Sequence, residues 1–375
     1  MMELYDRGGL IMSGSILGNI FKISTWGESH GKALGVVVDG CPAGLEISEK
    51  DIQKDLDRRK PGQSPFATPR KEGDKIEILS GVFEGKTTGT PISMIIFNKN
   101  QKSKDYSDLK DVYRPAQSDY SYDLKYGFRD HRGSGRASGR ETAARVAAGA
   151  IAKKILANLN VKITAYTASI GPVKINPENY DEDYIMDNFL YMPDPEALKK
   201  AESYLRKLIE ENNSSGGTIE CIVQNIPEGL GDPVFDKCDA LLARAIMSIG
   251  AVKGVEIGSG FEAAEMTGYE HNDFYRYDEG KINKTTNNAG GTLGGIADGS
   301  EILLKAAVKP TPSIEKTQKA VNKSGENIEL NIQGRHDPVI VPRAVVVVEA
   351  MTALTLVDLL LKNMSSRMEY IKKIY

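Results

Sequence analysis

Valine, isoleucine and threonine gather in short runs separated by glycine, proline and charged residues. Leu34–Val38, Ile76–Phe83, Ile92–Phe97, Val161–Ile170, Thr218–Gln224, Ile302–Val308 and Ile328–Ile332 are such runs, and their composition and frequent alternation predict strands. Phe21–Thr25 is a further candidate. Four longer stretches carry helical spacing. Gly139–Asn158 places Ala143, Val146, Ala147, Ala150, Ile151 and Leu156 near one face, with Ser138 as cap. Glu196–Asn212 has a polar face and stops before Gly216-Gly217. A third helix is predicted to begin near Asp232-Pro233, a cap followed by proline, and to carry Leu241, Leu242, Ala245 and Ile246. The fourth spans Pro342–Asn363. A shorter helix is expected from Ser48, with Asp51 in its first turn, to Arg59 before Pro61-Gly62.

Strands come in groups with helices between them, which favours an α+β layered fold over a doubly wound parallel sheet. No repeat or low-complexity linker divides the chain. Ala344–Leu361 is apolar but interrupted by Glu349 and Asp358, so it reads as a buried helix rather than a membrane span. Met1–Gly14 holds Glu3 and Asp6 and no long apolar core, unlike a signal peptide. Met12 is an alternative start.

The formal net charge is −3 over 375 residues. Bulk attraction to nucleic acid or to an anionic membrane is not expected, so any basic site must be local. Cys41, Cys221 and Cys238 are far apart. They suit neither a disulfide framework nor a zinc site, and read as buried thiols of a cytoplasmic protein; no metal is expected.

Basic and glycine-rich segments hold the candidate chemistry. Arg129–Arg140 precedes the first long helix, where free N–H groups and the helix dipole add to arginine's capacity for anions. Arg58-Arg59-Lys60 lies at a helix end, where cations are common for dipole reasons alone. Lys309–Ser313 contains two prolines and follows a strand. Gln333–Pro338 sets a cation, an imidazole and a carboxylate side by side, and Asn287–Gly295 reads as a flexible loop. Gly27-Glu28-Ser29-His30-Gly31 matches the nucleophile elbow of serine hydrolases, but the elbow needs a helix after the turn and Gly35–Gly40 reads as a strand. His30 is therefore the group to consider, for proton transfer.

Three signatures together resemble chorismate synthase: Gly27–Gly31 running to Asp39-Gly40-Cys41-Pro42; Gly135–Thr142 with Arg145–Ala150; and Gly334-Arg335-His336-Asp337-Pro338 leading to Glu349-Ala350. Asp55–Arg59, Leu79–Gly85 and Ala251–Gly258 support the resemblance, which covers about Gly14 to Met364. It implies one domain over residues 12–364, an N-terminal extension at 1–11 and a tail at 365–375. It also implies a layered β-α-β sandwich with helices between antiparallel sheets, assembled as a homotetramer. The implied reaction is 1,4-elimination of phosphate from 5-enolpyruvylshikimate 3-phosphate to give chorismate, the last common step of the shikimate pathway. The implied cofactor is reduced FMN; no reductase domain is evident in the sequence, so an external flavin reductase is expected, with NADPH as an indirect reductant. Two carboxylates and a phosphate on the substrate, and a further phosphate on FMN, require clustered arginines in a chain of near-zero charge.

By the same resemblance His30, Asp337 and the residue at 117 are catalytic. Arg136, Ala137, Ser138, Gly250, Ala251, Gly294, Lys309, Pro310, Thr311, Pro312, Ser313 and Arg335 match cofactor-binding positions, and Arg58 and Arg59 match substrate or NADP-binding positions. One departure concerns the chemistry directly. Arg114-Pro115-Ala116-Gln117-Ser118-Asp119 carries Gln117 where the family usually has a histidine, and glutamine cannot be a general acid. A catalytically weakened homologue that still binds flavin or a phosphorylated ligand is the alternative this suggests. A serine hydrolase built on Ser29, or an RNA-binding Arg–Gly loop, fits less well. The loop lacks adjacent stacking aromatics.

Overall fold

The computed structural model describes residues 14–62, 64–67, 73–99, 109–278, 280–332 and 337–375; the proposed extension at 1–11 lies outside them. Two antiparallel five-stranded sheets enclose the central helices. One sheet has the order Ile16–Leu17, Lys22–Gly27, Ala33–Asp39, Ile92–Phe97, Ile76–Ile78. The other has the order Val173–Lys174, Lys162–Ile170, Gly217–Gln224, Ile302–Val308, Val252–Ile257.

The helices are α1 (Glu49–Arg59), α2 (Asp119–Tyr126), α3 (Thr142–Ala157), α4 (Pro195–Glu210), α5 (Cys238–Met247), α6 (Gly268–His271), α7 (Val341–Asn363) and α8 (Met368–Ile374). Helix α3 packs on the first sheet and on α7; α7 in turn packs on the second sheet and on α5. The interior is thus two helical layers deep between the sheets, which agrees with the α+β sandwich. Helix α7 is long and apolar enough to cross a bilayer by composition, yet 89% of that stretch is buried between the sheets. Most of the buried positions of α3 are small: Ala143, Ala144, Ala147, Ala148, Gly149, Ala150 and Ala152. This lets α3 and α7 close up. A Cβ on Gly149 would stand 2.3 Å from the Ala350 Cβ.

Several local expectations hold. Asp51 accepts hydrogen bonds from the Ser48 N–H at 2.9 Å and the Ser48 hydroxyl at 2.7 Å, opening α1. Ser138 Oγ accepts from the Arg140 N–H at 3.2 Å, capping the 3-10 turn that leads into α3. All three thiols are buried and unbridged; burial pushes Cys41 up to about 11 and Cys221 and Cys238 to about 12.

Others are corrected. The third helix starts at Cys238, not near Asp232. Val234 takes φ 73°, which no helix allows, and the Asp232 carboxylate pairs with Lys362 at 2.6 Å instead of capping. The Ile76–Phe83 run breaks at Gly81, whose φ of +79° ends the strand. Ile328–Ile332 pairs only as Asn327–Leu330. The 287–295 loop is tied down: Asp273 accepts from the Asn288 N–H at 2.7 Å and the Ala289 N–H at 3.0 Å.

Candidate functional site

Strands Lys22–Gly27 and Ala33–Asp39 pair antiparallel, so the Gly27–Gly31 segment is a hairpin turn and no elbow. Asn98 Nδ2 donates to the carbonyls of Glu28 (3.0 Å) and Gly31 (2.9 Å), fixing the turn. His30 is buried, and its Nδ1 lies 2.9 Å from Ser29 Oγ. Gly133 packs flat against this pair. At its φ of +70°, a Cβ would fall 2.7 Å from both His30 Nδ1 and Ser29 Oγ.

The segment that carries Gln117 joins three loops. Arg114 holds Asp119 through two bonds of 2.7 Å and donates to the Gly133 carbonyl at 2.7 Å. Lys309 Nζ donates to the Ala116 carbonyl at 3.0 Å, and the Lys309 N–H donates to the Ala251 carbonyl at 2.9 Å. Gln117 Nε2 donates to Ser313 Oγ at 3.0 Å, while Ser134 Oγ donates to Gln117 Oε1 at 3.3 Å. His30, Gln117, Ala251 and the Lys309–Ser313 loop are thereby brought together from far apart in the sequence. Within that loop, the buried Thr311 Oγ1 has no hydrogen-bond partner among the described residues.

Alongside runs a cleft of about 790 Å³, walled by Ser134–Gly139, Gly250 and the apolar Ile16, Leu17, Ile23 and Met351. Arg136 reaches from it to the His30 hairpin, donating to Thr25 Oγ1 at 2.7 Å, the Thr25 carbonyl at 3.0 Å and the Gly27 carbonyl at 3.3 Å. Ala137 and Ser138 line the same wall. Arg145 is matched by Glu141 at 2.9 Å and Ser248 at 2.7 Å. Arg244, from the exposed side of α5, also lines the cleft and has no acidic partner among the described residues. The sequence reading missed it. Its spacing of four from Ser248, just before Gly250, was the available signal.

Other predicted residues are engaged elsewhere. Arg58 forms a buried fork on Glu349 at 2.7 and 2.8 Å, and Lys153 bridges Glu349 (2.8 Å) and Asp55 (2.9 Å). Burial alone would raise the Glu349 carboxyl, but Lys153 and Arg58 outweigh it and hold the group down to about 2. Arg58 also borders a small cavity of about 200 Å³ with Arg343 and Tyr191. Arg59 is buried on Asp74 (2.9 Å), Thr142 (3.1 Å) and the Gly139 carbonyl (2.7 Å). Asp74, although buried, lies below the usual carboxylate range because Arg59 and Arg140 face it.

This ion cluster links two ends of the site. Asp337 pairs with Arg343 at 2.7 Å, and Arg343 donates to the Arg59 carbonyl at 3.1 Å. Asp74 then bonds Arg140, and Arg140 donates to Asn98 at 3.0 Å, beneath the His30 turn. Gly294 lies in the turn between Thr292–Leu293 and Ile296–Ala297, beside the start of α5, where the next residue's carbonyl accepts from the Cys238 N–H at 2.8 Å. Arg335 and His336 fall outside the described residues.

The family profile for chorismate synthase matches residues 21–361. The chorismate synthase of Agathobacter rectalis is 63% identical over 364 residues, covering 97% of this chain and 99% of its own. That of Methanocaldococcus jannaschii is 54% identical over 362 residues, covering 92% and 96%. A crystal structure of chorismate synthase superposes with a TM-score of 0.74 at 36% identity, over 95% of this chain and 96% of that one. Both sheets, the central helices and the His30 assembly lie within these matches, and the chain belongs to the chorismate synthase family.

Proposed function

We propose that the chain removes phosphate from 5-enolpyruvylshikimate 3-phosphate by 1,4-elimination to give chorismate, with reduced FMN held in the cleft. The observation that carries this reading is the partly apolar cleft walled by Ser134–Gly139, Arg244 and Gly250, which Arg136 ties to the His30 hairpin and Ser134 ties through Gln117 to Ser313. Its volume lies in the ordinary range for cofactor sites.

The residues present fit the flavin. Arg136, Ala137, Ser138 and Gly250 line the cleft, and the unpartnered Thr311 hydroxyl supplies a buried polar contact awaiting a ligand. Ala251 follows Gly250 of that lining and is bonded to Lys309, whose loop runs through Pro310 and Pro312 to Ser313; with Gly294 and Arg335 these complete the proposed set. Reduced FMN, when bound, supplies an electron-rich ring in a reaction with no net redox change.

In that reaction one C–H and one C–O bond break, a diene forms, and a proton and a phosphate leave. His30, buried and oriented by Ser29, holds the proton for the departing phosphate. Asp337, oriented by Arg343, is the second acid–base group. Arg58 and Arg59, proposed for substrate or NADP, are each already paired with a buried carboxylate, Glu349 and Asp74, and in this reading they hold the frame of the site. Burial excludes water and strengthens these interactions.

We also propose that NADPH acts only indirectly, through a separate flavin reductase, and that the protein works as a cytoplasmic homotetramer. Three unbridged thiols support the compartment. Large aromatic side chains left in solvent, Phe235, Phe261 and Tyr277 among them, support self-association.

The test is anaerobic. Supplied with reduced FMN and enolpyruvylshikimate phosphate, the protein should release phosphate and chorismate in equal amounts. If it releases neither while still binding flavin, the weakened-homologue alternative takes its place.

A further inference from the structure

The amide of Gln117 lies between two hydroxyls on different loops. Its Nε2 donates to Ser313 Oγ at 3.0 Å and its Oε1 accepts from Ser134 Oγ at 3.3 Å. Ser134 opens the Ser134–Gly139 run that lines the cleft. Ser313 ends the loop that holds the unpartnered Thr311 hydroxyl. The next residue upstream, Ala116, has a left-handed backbone (φ 55°) that turns its carbonyl to accept from Lys309 Nζ at 3.0 Å. Three residues upstream of Gln117, Arg114 ties the carbonyl of Gly133, which packs on His30. Gln117 is thus the midpoint of a clamp whose other two ends are already fixed.

We propose that Gln117 is a positioning residue that sets the spacing between the Ser134 loop and the Lys309–Ser313 loop, and takes no part in moving protons. An amide suits this task. It offers a donor and an acceptor on one rigid group, and it does not change charge over any working pH. One of the loops it joins lines the cleft and the other holds residues proposed to bind the flavin, so its loss should loosen the flavin without shifting the groups that move protons. This inference rests on the flavin reading above.

The experiment uses the full-length protein and follows FMN binding by titration, together with anaerobic turnover at saturating FMN. Two neutral hydrogen bonds at about 1 kcal/mol each predict that Gln117→Ala weakens FMN binding by roughly tenfold to thirtyfold. Ser313→Ala should cost severalfold. The double variant Gln117→Ala/Ser313→Ala should bind within about twofold of Gln117→Ala alone, because both changes cut the same bridge. At saturating FMN, the pH limits of activity of Gln117→Ala should coincide with those of the parent, whatever the change in kcat. If Gln117→Ala does not fold, Ser134→Ala and Ser313→Ala test the two ends with the amide left in place, and both must weaken FMN. Multiplying losses in the double variant, unchanged FMN affinity, or displaced pH limits would each overturn the proposal. A parent protein that binds no FMN would instead overturn the flavin reading itself.

Discussion

Gly133 has no room for a side chain. Its carbonyl is held by Arg114 and its α-carbon faces His30 and Ser29, so a methyl there would overlap both polar atoms at 2.7 Å and would also need a strained backbone at φ +70°. The loop around it is not core. Gly133→Ala should therefore leave the fold intact, move the imidazole, and lower kcat by about 10- to 100-fold, as small displacements of a reacting group do. His30→Ala removes the group and should cost about 100-fold or more. Anaerobic kcat and circular dichroism on the two variants check this, and an undiminished kcat in Gly133→Ala would detach His30 from the chemistry. His30 was legible from the sequence because it sits among glycines and polar residues rather than on an apolar face. Its dependence on Gly133 was not, since about a hundred residues separate them and only the folded loop brings them into contact.

Helices α3 and α7 meet backbone to backbone at Gly149 and Ala350. Intrinsic propensity favours Gly149→Ala by about 1 kcal/mol. The added Cβ would, however, lie 2.6 Å from the Ala350 Cα, which cannot turn aside. Overpacking of this kind costs about 1–3 kcal/mol or more and should win. The expected result is a loss of about 2 kcal/mol in urea unfolding; a gain would mean that the helices can separate freely. The long elements were readable in advance for a related reason. The alanines of α3 and the valine run of α7 are buried on nearly every side, and the strands repeat with period two. Where reading failed, a single residue overrode the pattern. Val234 in a left-handed conformation delays α5 despite a good Asp-Pro start, and Gly81 cuts a strand that composition alone would continue.

The helices between the sheets are joined by charge as well as by apolar packing. Glu349 on α7, Arg58 and Asp55 on α1 and Lys153 on α3 form one buried cluster. The Glu349 carboxyl falls from its ordinary 4.5 to about 2 in the folded protein. A depressed carboxylate contributes stability that is fully present above the unfolded value and is lost as pH falls through the folded one. Stability should therefore decline between pH 4.5 and about 2 through this group. Glu349→Gln should flatten that acid limb. It should also cost about 3 kcal/mol at neutral pH, by leaving Arg58 and Lys153 buried without their anion. Unfolding followed across pH for both proteins measures each effect, and an unchanged acid limb would remove Glu349 from the account. The signature Glu349-Ala350 was visible in the sequence, but nothing there distinguishes a structural anion from a catalytic one. Only its enclosure by Arg58 and Lys153 does so. The arginines of the site divide in the same way: sequence finds them, and their partners decide which face a ligand.

The Asp358 carboxylate on α7 receives the N–H groups of Asn19, Ile20 and Phe21 at 2.9, 2.7 and 3.0 Å. The turn that opens the first sheet is thus closed by a residue more than three hundred positions later. On the ribosome, both sheets are synthesised before the helix that fills the space between them. The face of the second sheet that α7 covers stays bare until that helix emerges, which is the circumstance in which nascent chains aggregate or recruit chaperones. Completion of this core waits on its late helix, and its many distant pairings place it among slow folders.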